Sequence, residues 1–162
     1  MNSAHLNQLK LSWIALTACP DVSHNLAQIS QCLPEVAASQ PDVLVLPEAF
    51  ACLSSDMMVQ RAHVERLGDA QAPLQAACAQ SARQLNAYVV AGSLPLAIGD
   101  AVYATLCIFD PKGVLVTYYR KMHLFSVVTP TGASYREDSL FHVGPVPVIW
   151  QSPWGAIGLA IC

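Results

Sequence analysis

The sequence predicts one α/β domain that covers residues 1–162. Short apolar runs that suit buried strands alternate with segments whose apolar residues recur every three or four positions, as they do on one face of a helix. Hydrophobic residues make up 54% of the 162-residue chain and charged residues 12%, a balance that supports a core and argues against disorder. No internal repeat, low-complexity tract or linker divides the pattern.

The first predicted elements are a strand, a helix and a second strand. Residues 13–18 are expected to form the first strand. Asp21 or Ser23 can then cap a helix, which Pro34 should kink. The apolar face of this helix consists of Leu26, Ile29, Leu33 and Val36. The run 43–46 is apolar throughout and too short for a helix, so we expect a strand that is buried on both faces.

The remaining predicted elements are a helix, a single strand and two hairpins. Pro73 suits the first turn of the helix, and residues 88–91 follow as a strand. The hairpin strands are predicted at 103–109 with 114–119, and at 146–151 with 156–161. Pro and Gly residues in the two intervening segments suit tight turns, so antiparallel pairing enters the sheet.

Charge and hydropathy exclude two classes of partner. The net charge is -3 and the pI is about 5.9, with 8 basic and 11 acidic residues scattered singly. Without a basic stripe the chain is not expected to bind nucleic acid. No segment has the roughly 18 uninterrupted apolar residues of a membrane span, so no membrane partner is expected either.

Cysteine usage indicates a reducing compartment. The six cysteines stand at 19, 32, 52, 78, 107 and 162, without a C-x-x-C pair or the close spacing of a zinc site or a disulfide framework. We therefore expect a cytoplasmic protein. A lipoprotein signal peptide is an alternative, because Leu16 stands three residues before Cys19, but the apolar run there is short and contains Ser12.

Glu48 is a candidate general base. It follows an apolar strand and Pro47, and a carboxylate in such a place is costly unless it is paired or used in proton transfer. The alternative is a solvated glutamate at a strand end.

Lys121 is a candidate for stabilising an oxyanion. It stands beside Arg120 in a segment crowded with aromatic and aliphatic residues at the end of a strand, where a cation can face a developing negative charge. The alternative is a long side chain whose ammonium group reaches solvent.

Cys162 is a candidate nucleophile. It follows a strand of small and aliphatic residues, in which Gly158 would permit close approach of another backbone. A buried inert cysteine is the alternative, and we expect that role for the other five cysteines.

Metal and cofactor sites lack support in the sequence. The five histidines, at 5, 24, 63, 123 and 142, form no H-E-x-x-H motif and no i, i+4 pair. There is no G-x-G-x-x-G, P-loop or G-x-S-x-G motif. We expect neither a metal nor an organic cofactor.

Three segments resemble the signatures of the nitrilase superfamily, in the same order along the chain. They are Leu-Val-Leu-Pro-Glu at 44–48, Tyr-Arg-Lys-Met-His-Leu-Phe at 119–125 and Gly-Leu-Ala-Ile-Cys at 158–162. The resemblance implies a carbon-nitrogen hydrolase with that family's four-layer α-β-β-α sandwich. It also implies that Cys162 attacks an amide or nitrile carbon, Glu48 transfers protons and Lys121 stabilises the tetrahedral intermediate.

A fourth residue and a substrate class follow from the same resemblance. Glu137 matches a second glutamate that the family keeps near the triad, although one more solvated acid beside Asp138 is the alternative. The segments 121–125 and 134–137 are most similar to the branch that cleaves amides of 2-oxo acids, including deaminated glutathione and ω-amidase substrates. The implied partner is therefore a small-molecule amide.

The resemblance has two departures and one limit. Ser126 and Ala104 stand where the family often has Asp and Asn. The similarity covers the amino-terminal part of the family fold and stops at Cys162, so we expect a domain that is incomplete at its carboxyl end and inactive by itself, and a homo-oligomer when complete. A non-catalytic remnant that only associates with another chain is the competing hypothesis.

Overall fold

A mixed sheet forms the centre of the fold. The structure is a computed structural model that describes residues 8–132 and 134–162. Its strands are β1 (Leu11–Trp13), β2 (Val43–Val45), β3 (Glu65–Arg66), β4 (Tyr88–Ile98), β5 (Ala101–Phe109) and β6 (Leu115–Arg120). The order is β1-β2-β4-β5-β6, with β3 beside β4. The β1–β2 and β2–β4 pairs are parallel. The β5–β6 pair is antiparallel, as the predicted hairpin requires, and the β4–β5 pair is antiparallel as well.

The helices are α1 (Val22–Ser39), α2 (Met57–Arg61) and α3 (Pro73–Leu85). Of these, α1 and α3 cover one face of the sheet, whereas Met57 of α2 packs in a separate small cluster with Ala104 and Phe141. Asp21 caps α1 by accepting a hydrogen bond from the backbone N–H of His24 at 3.0 Å, and α1 continues as one helix through Pro34. Pro73 begins α3, as predicted. Within residues 8–132 and 134–162, none of the helices has both the length and the apolar character that a membrane span needs.

The larger core lies between these helices and the sheet. Its fully buried members include Leu44 and Val89 of the sheet and Phe50, which is 0% exposed. From α1 come Ile29, Leu33 and Val36, three of the four apolar positions predicted for its buried face. Burial of each such side chain stabilises the folded state by about 1.5–3 kcal/mol. The interface between the helices and the sheet therefore holds the strand ends in position.

The first strand differs from the prediction. It covers Leu11–Trp13 instead of 13–18. The side chain of Asn25 accepts a hydrogen bond from the backbone N–H of Cys19 at 3.0 Å and donates to its carbonyl at 2.7 Å. Because a helix side chain satisfies these backbone groups, this part of the chain leaves the sheet.

The polar segment after β6 contains more regular structure than its sequence indicates. It forms β7 (Ser126–Val128), β8 (Ser134–Arg136) and a 3-10 turn (Glu137–Ser139). β7 and β8 are an antiparallel pair separate from the main sheet. Phe125 directly precedes β7 and Glu137 directly follows β8, so the pairing brings these two residues together beside the site described below.

A second hairpin covers the opposite face of the sheet. Its strands are β9 (Val148–Ser152) and β10 (Gly155–Leu159), close to the predicted pair. Trp150 packs against Tyr88 with ring centroids 5.1 Å apart, and Ile161 joins the same cluster. Helices, sheet and hairpin therefore form three successive layers, in the order expected for an α-β-β-α sandwich.

Candidate active site

A pocket of about 400 Å³ brings together all four residues selected from the sequence for chemistry. It lies where the chain leaves β2, β6 and β10 and where the 3-10 turn begins. Its lining consists of Glu48, Ala49, Leu53, Lys121, Phe125, Tyr135, Glu137 and Cys162. The four predicted residues come from four separate segments, so only the folded chain forms this arrangement.

Lys121 is the buried centre of the site. Its side chain is 1% exposed, and its Nζ donates to Glu48 Oε1 at 2.7 Å and to Glu137 Oε1 at 3.0 Å. Burial alone would lower the pKa of Lys121, but the hydrogen bonds and negative charges of the two glutamates outweigh it and raise the pKa above its ordinary value. The alternative of an ammonium group that reaches solvent is wrong, and Lys121 is a fixed cation at neutral pH.

Backbone contacts hold Lys121 in place. Its N–H donates to the carbonyl of Ala104 at 2.9 Å, and its carbonyl accepts from the N–H of Gly144 at 2.8 Å. An added Cβ at Gly144 would lie 2.2 Å from the Arg120 carbonyl oxygen, so this crossing requires glycine. The departure at Ala104 leaves this contact intact, because only the backbone of that residue takes part.

Glu137 links the site to the segment after β6. It is 8% exposed, which rules out the solvated alternative. Oε2 accepts from the N–H of Phe125 at 2.8 Å, and the N–H of Glu137 donates to the Phe125 carbonyl at 3.1 Å. Glu137 therefore fixes both Lys121 and Phe125.

Glu48 and Cys162 are the accessible groups of the pocket. The Glu48 side chain is 36% exposed, and Cys162 is exposed as the last residue of the chain. Ala49, directly after Glu48, has φ of +53°. Left-handed backbone at residues other than glycine is uncommon and concentrates at functional sites.

The cysteines of the core differ from Cys162. Burial raises the pKa of the Cys107 thiol to about 12 and also raises the pKa of Cys78 and Cys52. Their thiolates are disfavoured, which agrees with the inert role expected for them. All six cysteines are unpaired.

Close approach of another backbone occurs at Gly92 and not, within the described residues, at Gly158. A Cβ added at Gly158 would meet open space in the described part of the chain. Gly92 has the expected property, because its added Cβ would lie 2.1 Å from the Pro47 carbonyl oxygen. The strand that carries Gly92 thus packs directly against the segment that carries Glu48.

Several lining residues were not assigned roles from the sequence. Phe125 and Tyr135 form a tilted ring pair with centroids 5.8 Å apart. Burial raises the pKa of Tyr135, with a smaller opposing effect from Gln60, so its hydroxyl stays protonated. Phe125 and Tyr135 stand in segments that resemble the known family, and this position was their only signal in the sequence. Leu53 had no such signal.

The donor groups of the pocket are those of acid–base and nucleophilic chemistry. Among residues 8–132 and 134–162 no group of three or more His, Cys, Asp or Glu side chains is placed to hold a metal ion. The pocket offers the thiol of Cys162, the carboxylates of Glu48 and Glu137, and the ammonium group of Lys121.

Comparison with known proteins identifies similar sequences and folds. The family model described as "Carbon-nitrogen hydrolase" matches residues 6–162. The chain is 28% identical over 159 residues to "Omega-amidase, chloroplastic" of Arabidopsis thaliana, covering 97% of this chain and 43% of that protein. The chain spans about half the length of the curated relatives it matches.

Two solved structures show the same fold. One is Nit3 of Saccharomyces cerevisiae, described as a member of the nitrilase superfamily, with TM-score 0.78, 23% identity and coverage of 95% of this chain and 55% of that one. The other is a mutant of the amidase from Nesterenkonia sp. AN1, which shows Michael addition of acrylamide at its active-site cysteine. Its TM-score is 0.70 at 19% identity, covering 96% of this chain and 57% of that one. The mixed α/β fold of this chain is that of the nitrilase superfamily.

Proposed function

Because the chain belongs to the carbon-nitrogen hydrolase family, we propose that its pocket hydrolyses a non-peptide carbon-nitrogen bond with Cys162, Glu48 and Lys121 as the reacting and stabilising groups. The observation that carries this proposal is the convergence of these residues, with Glu137, on one pocket of about 400 Å³. A thiol, a carboxylate and a cation in reach of one substrate are the groups that acyl transfer needs.

The first half of the proposed reaction forms a thioester. Glu48 accepts the thiol proton as the sulfur of Cys162 attacks the amide carbon, and a tetrahedral oxyanion results. The proton on Glu48 then passes to the nitrogen, the carbon-nitrogen bond breaks and ammonia or an amine leaves. The acyl group remains on the sulfur of Cys162.

The second half releases the acid. Glu48 takes a proton from water as the water oxygen attacks the thioester carbon, and the carbon-sulfur bond then breaks. The proton returns to the sulfur, so the enzyme is regenerated with its original protonation. Atoms and charges balance with water as the only co-reactant.

Lys121 supports both tetrahedral intermediates. An ammonium group has three N–H donors, and the described contacts engage it with two carboxylates, Glu48 and Glu137. One donor therefore stays available for the oxyanion in the pocket that Lys121 lines. Its raised pKa keeps the positive charge present throughout the neutral range.

The proposed substrate is a small-molecule amide, and more narrowly an amide of a 2-oxo acid, as in ω-amidase or deaminated glutathione substrates. The similarity to an Arabidopsis ω-amidase supports this class. Since the chain spans about half of such relatives, the proposal concerns the protein expressed from its complete gene. We expect the 162-residue chain expressed alone to be inactive on amides and to associate with other chains.

The test compares two cysteine variants of the protein expressed from its complete gene. Ammonia release from a panel of amides that includes a 2-oxo acid ω-amide is measured for Cys162→Ala and Cys19→Ala. The first should abolish hydrolysis, and the second should leave it within a few fold.

Two results would reject the proposal. Hydrolysis that survives in Cys162→Ala would exclude this residue as the nucleophile. A parent protein without hydrolysis of any amide in the panel would favour the competing hypothesis of a non-catalytic chain.

A further inference from the structure

Ser93 contacts the segment that carries Glu48. Its side chain lies in β4, is 6% exposed and accepts a hydrogen bond from the N–H of Ala49 at 2.8 Å. Ser93 also lines a small cavity together with Glu48, Ala49 and Glu137. The contact therefore lies at the residue directly after the proposed general base.

An irregularity in β4 creates this contact. Ala91 pairs with Cys107 and Leu94 pairs with Thr105, so three steps along β4 match two steps along β5. One extra residue is accommodated at Gly92 and Ser93, which is a β-bulge. A bulge re-aims side chains beside it, and here it directs Ser93 toward the Ala49 N–H.

The backbone of Ala49 explains why such a contact is needed. Its φ of +53° lies in the left-handed region, which is unfavourable for a residue with a Cβ. The hydrogen bond from the Ala49 N–H to the Ser93 hydroxyl offsets part of this cost. The absence of a Cβ at Gly92 lets the Pro47 carbonyl approach, so the two strand ends are held close on both sides of Glu48.

We propose that Ser93 is a positioning residue, which holds Ala49 in its left-handed conformation and thereby directs the Glu48 carboxylate to Lys121 and the thiol of Cys162. The proposal rests on the proposed function for the role of Glu48. The coupling of Ser93 to the Glu48–Lys121 ion pair can be tested without measuring catalytic turnover.

The experiment uses Ser93→Ala in the protein expressed from its complete gene. Ser81→Ala is the matched control, because Ser81 is also 6% exposed but donates within α3 to the Ala77 carbonyl at 2.9 Å. The pKa of Lys121 is followed by NMR with selectively labelled lysine, and kcat and KM are measured on an amide. Glu48→Gln serves as the reference for complete loss of the carboxylate.

We expect Ser93→Ala to shift the pKa of Lys121 downward, in the same direction as Glu48→Gln, because the carboxylate that raises it is displaced. The kcat should fall on the order of tenfold to a hundredfold, and KM should change little. Ser81→Ala should change neither quantity. Adding Ala49→Gly to Ser93→Ala should restore part of the lost kcat and part of the Lys121 pKa shift, since glycine adopts a left-handed φ without the steric cost of a Cβ.

Each opposing result is decisive. The proposal is overturned if Ser93→Ala leaves the Lys121 pKa at the parent value, if Ser81→Ala matches its effects, or if Ala49→Gly restores nothing. If Glu48→Gln leaves amide hydrolysis unchanged, the assigned role of Glu48 fails instead. The Lys121 titration still decides the coupling to Ser93 in that case.

Discussion

Lys121 Nζ and Glu48 Oε1 lie 2.7 Å apart although 73 positions separate the two residues in the sequence. Glu137 contacts the same ammonium group, so the cation is shared by two carboxylates with 1% of the lysine side chain exposed. The Lys121–Glu137 pair is buried and therefore tolerates the loss of one partner poorly, because the remaining charge keeps its desolvation cost.

Lys121→Met should therefore impair both activity and stability. Removing the cation leaves two carboxylates facing each other, and we expect a loss of about 3–5 kcal/mol in unfolding free energy and at least about a hundredfold in kcat. Urea denaturation and amide hydrolysis measure the two effects. The double variant Lys121→Met with Glu137→Gln should regain part of the stability but none of the activity. Recovery of activity in the double variant would contradict the role proposed for Lys121.

Asn25→Ala should destabilise the loop that follows β2. Asn25 is 0% exposed, and it exchanges hydrogen bonds with the backbone of Cys19 and donates to the Ala51 carbonyl at 2.9 Å. Each backbone group left without its partner costs about 1–3 kcal/mol, so the total should exceed about 2 kcal/mol. Gln31→Ala, on the exposed side of α1, is the control and should stay within about 0.5 kcal/mol. Equal effects in urea denaturation would show that Asn25 has no special role.

Gly92→Ala should be far more costly than a glycine change in open space. The new Cβ would lie 2.1 Å from the Pro47 carbonyl oxygen, so the segment that carries Glu48 has to move. We expect a loss above about 3 kcal/mol in unfolding free energy together with reduced kcat. Gly99→Ala is the control, because Gly99 has φ of +63° but nothing near its added Cβ, and it should cost only about 1–2 kcal/mol. A thermal or urea unfolding series that ranks the two variants in the reverse order would refute the packing argument.

Stability should decline as the pH rises above 9. The Cys107 thiol has an ordinary pKa of 9.0, which burial raises to about 12 in the folded protein. Between these values the native state holds a proton that the unfolded state has lost, so unfolding free energy falls by about 1.4 kcal/mol per pH unit for this group. The stabilisation is complete below pH 9 and is lost toward pH 12.

Cys107→Ala tests this origin of the pH dependence. The variant should show a shallower decline in urea-derived unfolding free energy from about pH 8 to about pH 10.5, whatever its stability at the lower pH. Val89→Ala is the control, because it removes volume from the same core but no thiol, and it should lower stability with the parent's pH slope. An unchanged slope in Cys107→Ala would mean that other groups cause the alkaline loss.

The regular elements could be predicted where local chemistry decides them. The Asp21 cap, the start of α3 at Pro73 and the hairpin between β5 and β6 depend on neighbours in sequence, and each is present in the structure. The pairing of β7 with β8 was missed, because strands of three residues are too short for alternation to be recognised, although the segment between them contains Pro130 and Gly132.

Only part of the candidate site could be predicted from the sequence, because some of its contacts depend on the folded chain. Glu48, Lys121, Glu137 and Cys162 occur in segments that resemble a known family, and the structure places all four in one pocket. Ser93 could not be selected, because its contact with Ala49 depends on a bulge in the register of β4 and on a positive φ at an alanine. Asn25 was likewise inconspicuous, since a polar residue on a helix indicates an exposed position until its burial is known.

The parallel pairing of β2 with β4 has a consequence for how the protein acquires its pocket. The β4–β5–β6 meander and the β9–β10 hairpin join strands that are adjacent in sequence, whereas Val43 reaches Tyr88 only after the chain between them, including two helices, has closed into a loop. Contacts of high sequence separation incur their loop-closure entropy before they contribute stability, so they form late. Glu48 follows β2 of the late-forming β2–β4 pair, and Lys121 follows β6 of the early-forming meander. In a refolding reaction, strand signals in circular dichroism should consequently recover before the Glu48–Lys121 contact forms.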